Sequence, residues 1–517
     1  MDTKREYKRV KGSGRIVCES SGDYTLPDYN GDVRKLLYTS ARVCPGGSFM
    51  SGEQVEAIGS VEYTVVYLDG EGEISNTSFT TDYETTYPCS ADSFSDMSVA
   101  VELGSFNVRL VGPRRFSARA SLDCCVKIIE SACVEIEGDS FTVASPECAS
   151  TSVEVRQEEI YRTDEKTVKS ELWRGEGCAV DDVTVLIKDS CAVIENIKDN
   201  GDGLAVKGAI KLRALIKCAD EIPTLAETVL PFDESVELEN NKEGRAIYAR
   251  VNVSVPKMEV SAEDFGTVIS AEVSYCVNTS VCYNDSVEVI KDCFLADSMT
   301  ENEYGEFKYD RLIGAEWKRV TVSGELPKGD VSDAEFRNVI YPSAEAHIDE
   351  ISARGRDVEI AGKIRFSGIA CQVLEDGKVE YVGVSPEIRF CENVNIGRQI
   401  PEEARFECSV ICSDAVITVD ELNIYPSVNL SFAVGVYCEE RQGCLRSSVI
   451  TDVSVDKDPS VVTVYYPTDT DTLFDVAKKY HVPILKLASD NSLAESCLAS
   501  VDSTSSLVGA TRLIIKG

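Results

Sequence analysis

Apolar and polar residues alternate along most of the first 455 residues. Valine and isoleucine are abundant in the alternating runs, and Gly, Asn and Asp separate one run from the next. A two-residue period places successive side chains on opposite faces of a strand, so each run predicts a strand with one buried face. The runs are residues 61–67, 107–111, 210–215, 251–255, 267–277, 364–369, 405–411 and 427–436. The pattern therefore predicts a mainly β chain built as sandwiches or open barrels.

Helical spacing is rare in this part of the chain. Residues 164–173 are interpreted as a linker helix, and residues 333–339 as a single helical turn.

A segment built around a serine and a later glycine occurs three times. The pairs are Ser40 and Gly59, Ser190 and Gly208, and Ser343 and Gly362, at intervals of 19, 18 and 19 residues. A strand-like apolar run follows each glycine, and the spacing of about 150 residues between copies predicts tandem domains instead of a solenoid. We expect each serine to hydrogen-bond a backbone group in a bend, and each glycine to mark a bulge or a close approach of strands.

The repeats and the polar stretches between them predict three tandem β domains and a small last domain. The predicted domains are residues 1–150, 151–315, 316–455 and 456–517, and we call the last one the tail. A Leu-Pro pair precedes copies one and three, whereas copy two has Leu172 and Trp173 nearby. The polar or proline-bearing stretches at residues 139–151, 296–305 and 455–459 are the predicted linkers.

The tail changes from strand to helix spacing. Residues 461–466 alternate like a strand, and Leu473, Val476, Ala477 and Tyr480 then recur at helical intervals. Thr472 and Asp475 have the spacing of a capping box at the start of that helix. Pro483 suits the first turn of a second helix, Asn491 suits its end, and residues 513–515 form a last strand. The order predicts a small α+β domain, strand–helix–helix–strand.

The net charge of the chain argues against two classes of binding partner. Lys plus Arg number 52 against 88 Asp plus Glu, which gives a formal net charge of −36. An excess of this size repels phosphate backbones and anionic headgroups, so nucleic acid and membrane surfaces are poor candidates. The N-terminus has no apolar stretch after its charged residues, and no eighteen-residue apolar run occurs. We therefore expect a protein of the cytoplasm without a membrane span.

The sequence offers little for metal or cofactor chemistry. It has 20 cysteines but no C-x-x-C pair and two histidines, whereas structural zinc favours paired thiolates at short spacing. Cys276, Cys371, Cys408 and Cys412 lie in apolar runs, where a free thiol packs as a small hydrophobic side chain. Which cysteines cross-link, if any do, is left open. No metal and no cofactor are expected.

No catalytic constellation stands out either. His347 lies in a run that alternates like an edge strand, and His481 ends the first tail helix, where a cation is ordinary. No phosphate-binding glycine loop stands between a strand and a helix, and the glycines at residues 46–47 read as a turn. We expect a protein that is not an enzyme.

The sequence from Thr470 to Tyr480 resembles the LysM module, whose core sequence is roughly G-D-T-L-W-x-I-A-x-x-Y. The chain has Thr470 where the module usually has Gly, Phe474 where it has Trp, and Lys516 where a Pro is common. Residues 492–508 also form a longer stretch than the usual loop. LysM modules bind and do not catalyse. The replaced glycine adjoins the groove in which such modules hold N-acetyl sugars, which weighs against glycan binding.

Three β segments with an S-[AC]-x-[AV]-like core, the Leu-Pro lead-in and a LysM-like tail resemble the SPOCS-domain spore-coat morphogenetic proteins of clostridia. The resemblance covers essentially the whole chain. It implies a non-catalytic scaffold made in the mother-cell cytoplasm that gathers at the forespore surface and enters the spore coat. It also implies that the tail binds the coat-basement ATPase, alongside other coat proteins.

The ligand position in LysM modules points to five candidate binding residues in the tail. They are Thr470, Asp471, Thr472, Asp490 and Asn491. The residues expected in the tail's core instead are Leu473, Ala477, Tyr480, Leu485 and Ile514.

The sequence is also compatible with two other hypotheses of function. The first is a peptidoglycan-binding protein of the cell wall or spore cortex whose tail binds N-acetyl glycans; it predicts that the tail pellets with purified cell wall and that some route exports the chain. The second is an enzyme that uses the tail for targeting, which would depend on His347 as the one histidine outside the tail.

Overall fold

The computed structural model describes residues 6–516 except 90–93, 220, 240–241, 243, 264–265, 332–334, 376–377, 457, 459, 469, 494–506 and 508–510. Strands make up 75% of the structure and helices 5%. All of the paired strands are antiparallel, which confirms the prediction of a mainly β chain.

The first unit consists of six strands in two sheets. They are β1 (Glu6–Thr25), β2 (Val33–Ser51), β3 (Gln54–Asp69), β4 (Ile74–Pro88), β5 (Phe94–Gly112) and β6 (Arg115–Cys133). The strand orders are β1-β6-β5 and β2-β3-β4. Alternate residues of both sheets enclose one hydrophobic cluster that includes Tyr63, Phe116 and Leu122, so the unit is a β-sandwich.

The second unit follows a short helix, α1 (Ser140–Val143), and repeats the same plan. Its strands are β7 (Glu147–Arg162), β8 (Lys166–Glu176), β9 (Val183–Asp199), β10 (Gly203–Cys218), β11 (Thr224–Glu237), β12 (Ala246–Val253), β13 (Lys257–Glu263) and β14 (Gly266–Phe294). Strand β14 lies at the centre of one sheet, between β7 and β8 on one side and β12 and β13 on the other. The second sheet has the order β9-β10-β11. A 3-10 turn at Val180–Asp182 precedes β9.

The third unit again pairs two sheets. Its elements are β15 (Ser298–Ser323), β16 (Leu326–Pro327), α2 (Lys328–Val331), β17 (Asn338–Arg354), β18 (Asp357–Val373), β19 (Val379–Val384), β20 (Glu387–Asn395), β21 (Arg405–Val419) and β22 (Asn423–Ser454). Strand β22 lies between β15 with β16 and β21, while β18 lies between β17 and β19 with β20. Phe366 and Phe432 belong to the core that the two sheets share.

The tail forms a separate small α+β element group. It consists of β23 (Val462–Tyr465), α3 (Leu473–Tyr480), α4 (Ile484–Asp490) and β24 (Leu513–Lys516), with β23 and β24 paired. The predicted order of strand, two helices and strand is present.

The repeated glycines lie where the backbones of adjacent strands come close. Gly59, Gly208 and Gly362 are opposite Tyr83, Phe232 and Phe390 of the next strand. A Cβ on Gly208 would lie 2.2 Å from the Val193 carbonyl oxygen, and one on Gly362 2.2 Å from that of His347. Each glycine also adjoins a register shift. The prediction of bulges and close approaches is therefore confirmed, and an aromatic ring covers each glycine.

The three units pack head to tail in a closed ring. Strand β4 contacts β9, β11 contacts β17, and β19 contacts β2, so equivalent strands meet at each junction. Val66, Leu215 and Ile369, each seven residues after its repeated glycine, share one buried cluster at the centre. We call it the central apolar cluster; it comprises Leu37, Tyr38, Val66, Ile74, Leu186, Ile187, Leu215, Tyr341 and Ile369.

Four charged side chains join the three units at a second place. Lys127 of the first unit lies 2.7 Å from Glu158 of the second and 3.1 Å from Glu407 of the third. Arg156 forms ion pairs with the same two carboxylates, at 2.8 Å from Glu158 and 3.0 Å from Glu407. We call this set the four-charge ring; its alternating signs cancel, which makes the burial of Arg156 and Glu158 tolerable.

Two of the repeated serines hydrogen-bond backbone carbonyls as predicted, but they do so from within strands β9 and β17 and not from a bend. Ser190 Oγ donates to the Ser254 oxygen at 2.8 Å, and Ser343 Oγ to the Ser367 oxygen at 3.2 Å. Each also contacts a neighbouring unit: Arg42 donates to Ser190 at 2.9 Å, and the Tyr38 hydroxyl lies 3.3 Å from that of Ser343. The serine strand therefore marks the junctions between units, which the sequence did not indicate.

Three local predictions are corrected. Residues 166–176 form strand β8, not a linker helix, because every second residue packs inward while the strand pairs with β14. The helical turn predicted at residues 333–339 is not present in the described residues 335–339, where β17 begins at Asn338; the nearby helix α2 covers Lys328–Val331, and residues 332–334 lie outside the described part. The linker expected at residues 296–305 is shorter and covers residues 295–297. Strand β15 (Ser298–Ser323) pairs with β22 from Ser298 onward and runs past residue 315, where the second predicted domain ends.

Candidate docking surface of the tail

Helix α3 begins with the capping box that the sequence predicted. Thr472 Oγ1 accepts from the Asp475 amide at 3.1 Å, and the Asp475 carboxylate accepts from the Thr472 amide at 3.1 Å. The two bonds satisfy amides that the first turn of a helix leaves without partners. Thr472 is thus a structural residue at the start of the helix.

Asp471 closes the loop that precedes α3. Its carboxylate accepts from the Thr468 amide at 2.8 Å and from the Tyr465 hydroxyl at 2.9 Å. The bond from Thr468 and then that from Tyr465 stabilise the charged form and lower the pKa of Asp471. Thr470 is exposed in the same loop, with its hydroxyl 3.1 Å from that of Thr468.

Asn491 joins the end of α4 to the last strand. Its side-chain amide donates to the Leu487 and Ile514 carbonyls at 2.8 Å each, and its oxygen accepts from the Ile514 amide at 2.6 Å. The neighbouring Asp490 lies 3.1 Å from Lys516 Nζ. Of the five candidate binding residues, four have such structural roles and Thr470 is the exposed one; a binding role for the set stays a prediction.

The core predicted for the tail needs one correction. Leu473 and Ala477 are buried and Tyr480 and Ile514 partly so, but Leu485 is 67% exposed. Helix α4 begins at Ile484 with Pro483 as its N-cap, and Ile484, Leu487 and Ala488 face inward. A residue directly after an inward-facing one lies about 100° away around the helix, which places Leu485 outside.

The tail lies against the second unit. The Phe474 ring meets the Phe294 ring edge-on, with centroids 5.5 Å apart, and Ala149 belongs to the same buried cluster. Phe474 therefore packs against the body of the protein. Glu147 interacts with the backbone of Ile484 at the start of α4. We call Glu147, Ala149, Asp292, Phe294 and Leu295 the tail platform.

Polar contacts fix the orientation of the tail on its platform. Lys478 Nζ lies 2.5 Å from the Asp292 carboxylate, and His481 Nδ1 is 2.9 Å from the Leu295 carbonyl oxygen. Burial disfavours the charged lysine, but Asp292 outweighs burial and raises the pKa of Lys478. Asp292 also accepts from the Tyr304 hydroxyl at 2.8 Å. These contacts join residues far apart in the chain, so local sequence patterns do not reveal them.

The face of the tail away from the helices is apolar and exposed. Val462, Val464 and Tyr466 are 59%, 48% and 71% exposed, and Ile514 is opposite Val464 on the paired strand. Residues opposite one another in an antiparallel pair share a face, so the four side chains form one surface. We call it the outer sheet face. Sequence reasoning missed it because alternation alone does not show which face of a two-stranded sheet the helices cover.

The residues considered for chemistry lie apart from one another. His347 is in β17 with its Nε2 3.8 Å from Asp349, and both side chains are about half exposed. Within the described ranges, no three His, Cys, Asp or Glu side chains gather in a way that could hold a metal ion. Nor does any helix of the described residues have the length and apolar character needed to cross a membrane.

Two cysteines of the second unit are bonded. Cys178 follows β8 and Cys218 ends β10, and their Cα atoms are 6.5 Å apart. The disulfide joins two residues that are 40 positions apart in the sequence.

Comparisons with known proteins give no family for the chain. No family model matches it, and no curated protein matches it. One solved structure, the crystal structure of lipopolysaccharide binding protein, aligns with 80% of this chain and 91% of that chain at 8% identity. The TM-score of that alignment is 0.08, so the likeness carries no argument about fold or function.

Proposed function

We propose that the chain is a non-catalytic scaffold of spore-coat assembly that is recruited to the forespore surface through its tail. The observation that carries the proposal is the tail itself: a βααβ module whose helices lie on the body while its outer sheet face stays exposed. The family resemblance given above supplies the setting, and the partner it implies is the coat-basement ATPase.

The body suits a scaffold because its three units hold one another in fixed positions. The central apolar cluster and the four-charge ring each draw on all three units. A closed ring presents its outer surfaces in constant geometry, and this lowers the entropy lost when several partners bind. The protein would then link coat proteins by adhesion.

The outer sheet face is the part of the tail that we assign to partner binding, together with the loop that carries Thr470. Its apolar side chains are exposed on a module otherwise rich in charged residues, and an exposed apolar surface of this kind favours protein contacts. Tyr466, at 71% exposure, supplies the type of side chain that anchors many interfaces.

The test is binding of the full-length protein to the purified coat-basement ATPase. Val464→Thr and Tyr466→Ser together should weaken binding about thirtyfold or more, because truncation of even one interface anchor costs about 2 kcal/mol or more. Leu485→Ser is the matched control, since Leu485 is an exposed apolar residue on α4. Equal binding by all variants would reject the outer sheet face, and no binding by the wild type would reject the proposed partner. Pelleting of the protein with purified cell wall would favour the peptidoglycan alternative.

A further inference from the structure

Two buried cysteines lie directly opposite one another at the edge of the second unit. Cys148, in the second position of β7, pairs in register with Cys293 near the end of β14. Among the paired strands that the structure describes, no other register sets two cysteines opposite. Both are free thiols.

The backbone geometry of such a pair suits a disulfide. Opposed residues of antiparallel strands have Cα atoms about 4.5 to 5.5 Å apart, inside the range of about 4.4 to 6.8 Å found in disulfides. The bonded pair Cys178 and Cys218 has its Cα atoms 6.5 Å apart, at the wide end of that range. The Cα separation expected for Cys148 and Cys293 from their register therefore falls within the range that a disulfide spans.

The two thiols lie on the reverse side of the strands from the tail. Their immediate neighbours Glu147, Ala149, Asp292 and Phe294 belong to the tail platform, and side chains alternate between the faces of a strand. The cysteines themselves pack with Leu445 of the third unit, and Cys293 Sγ donates to Ser448 Oγ at 3.2 Å. A bond between them would fix the two strands that carry the platform.

We propose that Cys148 and Cys293 are a disulfide-forming site, oxidised by a small-molecule disulfide, and that the cross-link holds the tail platform together. In the first step the Cys148 thiolate attacks one sulfur of oxidised glutathione, releasing one reduced glutathione and leaving a mixed disulfide. The Cys293 thiolate then attacks the Cys148 sulfur and releases the second glutathione. Two protein thiols and one oxidised glutathione thus give one protein disulfide and two reduced glutathiones.

Burial governs when this reaction happens. Cys148 is 6% exposed, and burial with the nearby Cys293 thiol raises its pKa to about 12. A thiol in this state is slow to react at neutral pH, since the thiolate is the nucleophile. The first residues of β7 follow an irregular stretch at residues 144–146, and local opening there gives the oxidant access. The site therefore stays reduced in a reducing compartment and closes under sustained oxidation.

Peptide mapping of the full-length protein tests the proposal. Reduced protein is incubated with oxidised glutathione at pH 8.5, remaining thiols are alkylated, and tryptic peptides are identified by mass. We expect residues 128–156 joined to residues 292–308, the latter containing Cys293 as its one cysteine. The former also contains Cys133, so Cys133→Ser should keep the link and Cys148→Ser should abolish it.

Re-formation of the Cys178–Cys218 bond in the same sample serves as the internal reference. If that bond returns while Cys148 and Cys293 stay reduced or keep glutathione, the site assignment is wrong. The role of the cross-link is read by hydrogen exchange: oxidation should slow the exchange of amides in residues 473–490 at least threefold. Unchanged exchange in cross-linked protein would reject the effect on the platform.

Discussion

Phe474 of the tail meets Phe294 of the second unit edge-on, with ring centroids 5.5 Å apart, and both rings are buried. The contact makes the tail a fixed part of the body. It also decides which surface of the tail is left for partners, because the face bearing Phe474, Lys478 and His481 is covered.

Replacing Phe294 with alanine should release the tail. The change removes the ring on which Phe474 packs, and buried Phe→Ala substitutions cost about 3 to 5 kcal/mol. Hydrogen exchange of residues 473–490 should then speed up while that of β14 near Tyr275 stays slow. Tyr466→Ala is the control, since that ring is exposed. Equal protection of the tail in Phe294→Ala and wild type would contradict the packing.

Breaking the four-charge ring should destabilise the whole body. Glu158→Gln removes one of two anions and leaves Lys127 and Arg156 with an uncompensated charge in a buried place, at a cost of about 3 to 5 kcal/mol. The measurement is the free energy of unfolding in urea. Glu19→Gln, which breaks the exposed pair with Arg119, should change it by less than about 1 kcal/mol. Similar losses of unfolding free energy in the two variants would show that the four-charge ring stabilises the body no more than an exposed ion pair does.

The same carboxylate gives the stability a defined pH dependence. Burial by itself raises the pKa of Glu158, but Lys127 and Arg156 outweigh burial and hold it below the ordinary value. A folded-state pKa below that of the unfolded chain means that the stabilisation is complete above the unfolded pKa of about 4.3. It is lost as the pH falls through the folded pKa. The difference in unfolding free energy between wild type and Glu158→Gln should therefore be constant near pH 6 and shrink on acidification below about pH 4; a constant difference would contradict the assignment.

The repeated glycines should resist any side chain. A Cβ on Gly208 would lie 2.2 Å from the Val193 carbonyl oxygen and 2.5 Å from the Phe232 ring, and backbone cannot give way cheaply. Gly208→Ala should lower the free energy of unfolding by about 1 to 3 kcal/mol, as overpacking does. Gly47→Ala is the matched control, since nothing lies within 4 Å of a Cβ there. A neutral Gly208→Ala would mean that the strands separate more readily than the packing indicates.

Much of the fold could be predicted because the governing interactions are local. Two-residue alternation gave the strands, since each strand exposes one face, and the fixed Ser–Gly interval gave three related segments. The helix from Leu473 could be predicted to the residue because the Thr472–Asp475 box satisfies amides within one turn. Residues 164–173 are predicted as a helix because their widely spaced apolar residues also fit helical periodicity, whereas residues from Lys166 onward belong to strand β8.

The candidate site was harder to predict because burial depends on distant partners. Asn491 was placed correctly at a helix end, but its bonds to Ile514 show a structural role that no local pattern reveals. Leu485 is predicted to be in the core because it is apolar, but with α4 beginning at Ile484 its side chain faces outward.

The amino-acid sequence by itself determined most of the strands, the two helices of the tail, the three repeats and the strong acidity, all of which follow from composition and short-range spacing. Only the tertiary structure decided the closure of the three units into a ring, the seat of the tail on Phe294 and the opposition of Cys148 to Cys293. Such contacts depend on the register of strands and on the packing of faces between residues far apart in the chain, and neither is recorded in local periodicity.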